Sequence, residues 1–265
     1  MYKKTTKFVL LVCGILFLIN TPAYSATIKI GVVLLHGDSR PNIYIQPLKD
    51  KLTTSGMLVL HPELPYSLNR RFDKDVNSAI KQVDDAFAKL KAQGASKLFL
   101  VAHSKGGVFA TYYASTHKLD GLVVISPGAT VTSRPIIRKL GDSIEKAKEM
   151  IASGKGNQES SFSDLEASRG VDSFDTTAEA YYSWFDPNGA MNLDMSVSHL
   201  SSNLPILWIV GQNDYPIVRW QNIPRFKTLP KNSNTEFYEP DATHKTSPRV
   251  SEDKIVSWIH KVAAQ

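Results

Sequence analysis

The feature that most constrains the fold of this chain is an apolar run that ends in a turn of small residues and continues as a helix. Residues 97–102 have strand character, and residues 108–114 have helix character. Between them Ala102, Ser104 and Gly106 stand at alternate positions. Side chains this small allow a sharp, strained bend with the serine at its tip. The pattern predicts a strand–turn–helix unit that presents Ser104 as a nucleophile at one edge of a sheet.

The same alternation of strand and helix runs along most of the chain. Apolar runs at 27–35, 57–60, 122–125 and 206–210 are typical of strands that are buried on both faces, as in a parallel sheet. The clearest helix is predicted over 73–93, where apolar residues recur every three or four positions. We therefore predict an α/β fold with a mainly parallel central sheet flanked by helices.

Residues 129–203 are too many for a simple connection between two strands of such a sheet. We predict an insertion with structure of its own, in which helices over 136–151 and 177–185 flank a polar loop at 157–163. The insertion either packs as ordinary helices or forms a helical lid or cap over the serine. The lid is the interpretation that we favour, because the insertion leaves the strand next to the one that carries Ser104.

The insertion is also the place where a substrate pocket is expected. Its second predicted helix is dense in aromatic residues, and we name Tyr181, Trp184 and Phe185 as candidate substrate-binding residues. Aromatic side chains line apolar pockets, although they pack protein cores equally well.

The first 25 residues have the order of a secretory signal peptide. Three lysines precede residue 8, residues 8–19 are apolar, and Ala23 and Ser25 place small side chains before a cut at Ala26. The apolar run is shorter than the roughly 20 residues that span a bilayer, which argues against a membrane anchor. We expect a cleaved leader, 1–25, and one domain, 26–265, that is exported to the periplasm or secreted, with no membrane span.

The single cysteine of the chain, Cys13, falls inside this leader. Val12 is large for the residue that precedes a lipidated cysteine, so we do not expect a lipoprotein. The mature chain would then have no disulfide, no thiolate nucleophile and no cysteine metal ligand.

The charge of the chain points away from nucleic acid. The formal net charge of +6 becomes +3 when the three leader lysines are removed, and the remaining basic residues are interleaved with acidic ones. Interleaved charge is typical of solvated helix faces rather than of a basic stripe.

A serine hydroxyl needs a base to take its proton, and that base needs an acid to orient it. Asp214 follows the strand at 206–210, and His244 follows a last strand at 235–238. The carboxyl ends of parallel strands share one edge of a sheet, so Ser104, Asp214 and His244 are expected to meet there. Asp172, Asp175 and Asp186 are alternatives for the acid.

The chain order serine, acid, histidine resembles that of the α/β-hydrolase family, and the resemblance covers about residues 27–263. Its motifs are the His36-Gly37 turn, the elbow at 102–107, the turn from Gly211 to Asp214, and His244 before a closing helix. Ala102 stands where the family usually has glycine.

The resemblance implies roles for individual residues. Ser104 would be the nucleophile, His244 the general base and then acid, and Asp214 the residue that orients His244. Backbone N–H groups of Lys105 and Asp38 would form the oxyanion hole, with Ser39 as the alternative to Asp38.

The other histidines near these motifs, His36 and His103, are interpreted as structural. No metal-ligand spacing occurs, so we expect neither a metal nor another cofactor.

The sequence therefore predicts a serine hydrolase that cleaves small-molecule or lipid carboxylic esters through an acyl-enzyme. A lipase, a lysophospholipase or a peptidase would use the same residues, and a catalytically silent binding protein on this scaffold is the alternative of another class. The natural substrate and the oligomeric state are not predicted.

Overall fold

The structure is a computed structural model, and it describes residues 1–2, 28–40, 43–166 and 168–265. The predicted signal peptide, residues 1–25, lies outside the described residues except for Met1 and Tyr2. None of the helices in the described ranges is long and apolar enough to cross a membrane.

Six parallel strands form the central sheet, and two further strands form a separate antiparallel hairpin. In chain order the strands are β1 (Ile30–Leu35), β2 (Leu58–Leu60), β3 (Lys97–His103), β4 (Gly121–Ile125), β5 (Glu159–Glu166), β6 (Gly170–Thr177), β7 (Ile206–Ile209) and β8 (Glu236–Tyr238). The order across the sheet is β2-β1-β3-β4-β7-β8, with every pair parallel. The prediction of a mainly parallel sheet is confirmed, and the strand that precedes Ser104 lies in its interior.

Helices connect and cover these strands. They are α1 (Gln46–Thr54), α2 (Val76–Ala92), α3 (Lys105–Thr116), α4 (Arg134–Ala152), α5 (Ala178–Phe185), α6 (Leu193–Ser198), α7 (Pro216–Phe226), α8 (Ser247–Val250) and α9 (Glu252–Ala263).

The two faces of the sheet build two separate cores. Val32 and Val101 point to the face that packs on α1 and α9. Val33 and Leu100, one position along each strand, point to the face that packs on α2, α3 and the insertion. Successive side chains of a strand alternate between faces, so a sheet covered on both sides needs the continuous apolar runs seen in the sequence.

The helix predicted over 73–93 is present but begins later, at Val76. The side chain of Asp75 accepts a hydrogen bond from the N–H of Ser78 and caps the helix there. A local capping bond of this kind decides where a helix starts, whereas apolar periodicity decides only where it runs.

The insertion differs from the prediction in one element. Helices α4 and α5 occupy the two predicted helical segments, but residues 157–163 do not form the expected loop. Most of that segment belongs to strand β5, which pairs with β6 in an antiparallel hairpin, so the insertion is not purely helical.

The hairpin was missed because its inward-facing side chains are not all apolar. Phe162 and Asp164 of β5 are buried, as are Phe174 and Thr176 of β6, while their neighbours face outward. A buried aspartate at an alternate position hides the two-residue period that normally indicates a strand.

Candidate functional site

Ser104 lies in the bend between β3 and α3 with a strained backbone. Its φ of 55° and ψ of −124° are unusual for a residue with a side chain. The bend is tight because the backbone of Gly106 packs directly against the loop that follows β1. A Cβ at Gly106 would lie 2.3 Å from the carbonyl oxygen of His36, so only glycine fits there. Strain of this kind marks a side chain that the fold holds at a defined point.

His244 reaches Ser104 and Asp214 at the same time. Its Nε2 lies 2.9 Å from Ser104 Oγ, and its Nδ1 lies 2.8 Å from Asp214 Oδ1. The two loops are joined by a parallel backbone bridge between Asn213 and Thr243, one residue before each side chain. The structure thus brings together the three residues that the sequence placed at the ends of β3, β7 and β8.

Asp214 is an ionised carboxylate that sets the tautomer of His244. Burial alone would raise the pKa of Asp214, but the hydrogen bond with His244, the neighbouring Ser126 and the N–H of Tyr215 together hold that pKa below its ordinary value. A carboxylate accepts a hydrogen bond and cannot donate one, so the proton of the neutral imidazole resides on Nδ1. Nε2 is left as an acceptor that faces the serine hydroxyl.

His103 contacts His244 and fixes its backbone. Its Nε2 donates to the backbone carbonyl of His244 at 2.9 Å, and the two rings lie 4.9 Å apart. Burial lowers the pKa of His103 to about 3, so the ring is neutral near pH 7. The ring of Tyr215 also packs on His244, with the two ring centres 5.0 Å apart.

His36 has a similar supporting position in the loop after β1. Its Nδ1 donates to the carbonyl of Gly37 at 2.7 Å, and its Nε2 accepts from the N–H of Leu64 at 3.0 Å. Burial lowers its pKa to about 4. Both histidines thus have structural contacts, as the sequence indicated.

The loop after β1 lies directly against the serine. A Cβ on Gly37 would be 2.8 Å from the Cβ of Ser104 and 3.4 Å from its Oγ. Among the described residues, the N–H of Asp38 has no hydrogen-bond acceptor, whereas the N–H of Ser39 donates to the carbonyl of Gly37 at 2.9 Å. Ser39 is therefore already committed, and Asp38 is the better candidate for an oxyanion donor.

Lys105 begins α3, so its N–H has no partner within the helix. Its side chain turns away into a buried ion pair with two carboxylates. Nζ lies 2.8 Å from Asp38 Oδ2 and 2.5 Å from Asp164 Oδ2. Arg169 contacts the other carboxylate oxygen of Asp38 at 3.2 Å. The Asp38 carboxylate next to the serine is therefore paired with two cations.

These buried charged groups shift the pKa values of one another. Burial would lower the pKa of Lys105, but Asp164 and Asp38 raise it, so the ammonium stays charged. Burial likewise opposes ionisation of Asp38, whereas Lys105 and Arg169 hold its pKa low. Asp164 behaves differently, because burial and the neighbouring Asp38 raise its pKa to about 6 against the attraction of Lys105.

An apolar cavity of about 540 Å³ opens beside Ser104 and His244. Its wall comes from the insertion, from α7 and from the segment between β2 and α2. The apolar side chains that line it are Phe72, Ala129, Val131, Pro135, Ile136, Leu165, Trp184, Phe185, Met191, Tyr215, Pro216, Ile217, Val218 and Trp220. Such a cavity is large enough for an apolar group of a small molecule.

The three predicted substrate-binding residues divide between cavity and core. Trp184 and Phe185 line the cavity. Tyr181 does not line it: the side chain is fully buried between Phe162 and Phe185, and its hydroxyl donates to the carbonyl of Ser163.

Sequence reasoning missed the contribution of the β5–β6 hairpin. Asp164 and Arg169 reach Lys105 and Asp38 from it, and nothing in their local sequence distinguishes them from surface charges. No group of three or more His, Cys, Asp or Glu side chains in the described part of the chain is arranged to hold a metal ion.

No family model and no curated protein matches this chain. Solved structures do match it over most of its length. A monoacylglycerol lipase from Paleococcus ferrophilus has a TM-score of 0.63 at 22% identity, covering 88% of this chain and 94% of that chain. A thermostable carboxyl esterase from Bacillus coagulans, in complex with glycerol, has a TM-score of 0.62 at 15% identity, covering 90% and 92%.

A third structure, Est1E from Butyrivibrio proteoclasticus with ferulic acid bound, has a TM-score of 0.60 at 13% identity and covers 93% of this chain and 94% of that chain. At these identities the likeness concerns architecture, and it shows that the chain has the α/β-hydrolase fold.

Proposed function

We propose that this protein is a serine hydrolase that cleaves carboxylic esters through an acyl-enzyme intermediate. The observation that carries the proposal is the continuous hydrogen-bonded chain from Ser104 Oγ through His244 to Asp214, at the mouth of an apolar cavity. Structural neighbours that are themselves esterases and lipases support ester hydrolysis as the reaction class.

In the first half-reaction His244 Nε2 takes the proton of Ser104 as Oγ attacks the ester carbonyl carbon. The carbonyl oxygen becomes an oxyanion, which the N–H groups of Lys105 and Asp38 would bind. Donors of this kind are each typically worth about 3–4 kcal/mol of transition-state stabilisation. The intermediate then breaks its bond to the alcohol oxygen, which leaves with the proton from His244.

The second half-reaction repeats these steps with water. His244 takes a proton from the water as its oxygen attacks the acyl carbon. The carbon–Oγ bond breaks, and Ser104 recovers its proton from His244, so that one ester and one water give one acid and one alcohol. Asp214 remains an anion throughout and stabilises the imidazolium that forms twice.

The cavity favours esters with an uncharged, largely apolar group. The charged side chains that line it each have an ion-pair partner, and the rest of the lining is mainly aliphatic or aromatic. Lys105 pairs with Asp38 and Asp164, and Glu166 pairs with Arg169. A charged group of the substrate would be buried there without a partner. The cost of burying an unpaired ion in a protein is on the order of several kcal/mol.

Labelling with a fluorophosphonate tests the proposal directly. The adduct is expected on Ser104 when the labelled protein is digested and mapped by mass spectrometry. Ser104→Ala is expected to abolish labelling and to reduce turnover of p-nitrophenyl esters by about 10⁴-fold or more, because the nucleophile is removed. A series of acyl-chain lengths then separates short-chain esterase from lipase-like activity.

Ser115→Ala provides the matched control, since Ser115 lies on the same helix, α3, and donates only to the carbonyl of Tyr112. It should label and turn over like the unmodified protein. Absence of labelling at Ser104 in a folded protein would favour a silent binding protein and refute the hydrolase.

A further inference from the structure

The hairpin of the insertion touches the loop beside the serine, and its only contact with the main chain of Asp38, among the described residues, comes from Arg169. Arg169, at the β5–β6 turn, donates from Nη1 to the backbone carbonyl of Asp38 at 3.1 Å and from Nη2 to Asp38 Oδ1 at 3.2 Å. The planar guanidinium therefore donates to the main chain and to the side chain of Asp38 at the same time. The single ammonium group of lysine cannot reproduce this geometry. Nη1 of Arg169 also lies 3.7 Å from Glu166 Oε2 on the same hairpin.

The direction of the Asp38 N–H is set by hydrogen bonds of the neighbouring residues. The carbonyl of Gly37 accepts from His36 Nδ1 and from the N–H of Ser39. The N–H of Asp38 belongs to the same planar, trans peptide group as that carbonyl, so it points the opposite way. His36 and Ser39 hold one peptide plane of the loop, and Arg169 holds the next.

The grip on Asp38 also has an electrostatic consequence. A bare carboxylate at Asp38 would oppose an oxyanion at the serine, because like charges repel strongly where water is scarce. Arg169 and Lys105 each take one oxygen of that carboxylate, and Asp164 holds Lys105 from the hairpin side. Both N–H groups that would bind the oxyanion therefore belong to residues whose side chains are held by the hairpin.

We propose that Arg169 is a positioning residue: it fixes the peptide group that follows the Asp38 N–H, supports that N–H as a donor to the oxyanion, and neutralises the Asp38 carboxylate. The inference rests on the proposed function, since it assigns part of the same reaction. It makes the β5–β6 hairpin a component of the oxyanion hole as well as a wall of the cavity.

A second ion pair on the same hairpin supplies the control. Arg71 contacts Asp172 of β6 and ties the hairpin to the segment before α2 without touching Asp38. Asp172→Asn and Arg169→Gln thus each remove one charged tether of the hairpin, but only Arg169→Gln frees Asp38.

The test compares steady-state kinetics of Arg169→Gln, Arg169→Lys and Asp172→Asn with a p-nitrophenyl ester. We expect Arg169→Gln to lower kcat by about 10- to 100-fold with little change in KM, because the lost interaction concerns only the transition state. Arg169→Lys should recover part of the loss. Asp172→Asn should stay within about twofold of the unmodified protein, as surface substitutions usually do.

A trifluoromethyl ketone gives a readout that mere loosening of the hairpin would not change selectively. Its adduct with Ser104 carries an oxyanion, so its affinity for Arg169→Gln should fall by the same factor as kcat/KM, whereas binding of an uncharged, unreactive amide analogue of the ester should not. If Arg169→Gln does not fold, the same kinetic and inhibitor measurements on Arg169→Lys and Asp172→Asn are compared instead.

The outcomes separate this inference from the proposed function. Ser104-dependent hydrolysis with equal kinetics in Arg169→Gln and Asp172→Asn would overturn the positioning role and leave the hydrolase standing. A rise in KM without a fall in kcat would show that Arg169 only shapes the cavity. A folded protein with no Ser104-dependent hydrolysis would overturn both.

Discussion

At the scale of single residues, the site depends on groups that approach closer than a side chain would allow. Gly37 and Gly106 bring the loop after β1 against the serine bend, and an added Cβ at either position would collide with Ser104 or with the carbonyl of His36. Both contacts hold the strained bend at Ser104 against the loop after β1. The roles of His36 and His103 belong to the same scale, since each is a neutral ring with a fixed hydrogen bond.

The contact between Asp214 and His244 gives a prediction at this scale. In Asp214→Asn the amide would donate to His244 Nδ1, and the imidazole proton would move to Nε2, which could then no longer accept from Ser104. We expect kcat for ester hydrolysis to fall by about 10⁴-fold with the fold intact. Steady-state kinetics and circular dichroism measure the two effects.

Asp186→Asn is the control for this variant. Asp186 follows α5 and accepts from the N–H of Asn188, away from His244. An Asp186→Asn variant that lost as much activity as Asp214→Asn would contradict the assignment of the acid.

At the scale of elements, the insertion builds the cavity with a mixture of helix and hairpin. Helix α4 contributes one face only: Ile136 lines the cavity, while its neighbour Ile137 is 54% exposed. A helix turns by about 100° per residue, so Ile136 and Ile137 face different environments although they are adjacent in sequence.

This difference predicts the outcome of a matched pair of substitutions. Ile136→Trp should fill part of the cavity and lower kcat/KM for long-chain p-nitrophenyl esters by about 10-fold or more relative to the acetate, since each excluded methylene is worth roughly 1–3 kcal/mol. Ile137→Trp should leave the chain-length profile unchanged. Identical profiles for the two variants would place the acyl group elsewhere.

At the scale of the whole molecule, the parallel sheet gathers residues from the entire chain at one edge. Ser104 and His244 are 140 positions apart and yet share a hydrogen bond. The loops that bring them together are anchored by buried histidines, and this makes the stability of the protein sensitive to acid.

His36 and His103 have folded-state pKa values of about 4 and about 3, below the ordinary value of 6.5. Between pH 6.5 and about 4 the unfolded chain binds a proton at each histidine and the folded protein does not. The free energy of unfolding should therefore fall as the pH falls, by up to about 1.4 kcal/mol per pH unit for each histidine.

Urea unfolding at a series of pH values measures this dependence. In His103→Gln the slope between pH 6 and 4.5 should be smaller by about one proton equivalent, because one titrating group is gone. A slope equal to that of the unmodified protein would show that His103 is protonated in the folded state.

The strand–helix alternation and the buried character of the strands could be predicted from residue order, because apolar periodicity follows directly from which faces a segment buries. The same applies to Ser104, Asp214 and His244. In a parallel sheet the residues after successive strands must share an edge, so their order along the chain implies their proximity.

The hairpin and the partners of Asp38 were decided only by the tertiary structure. Asp164 and Arg169 are ordinary charged residues in sequence. Asp164 becomes buried, and both residues form ion pairs, because Lys105 and Asp38 meet them from distant segments of the chain. Tyr181 belongs to core rather than cavity for a similar reason, since helix periodicity does not say which buried surface a helix will face. Local pattern determines which segments form and which ends meet, whereas the pairing of buried charges depends on how the completed layers pack.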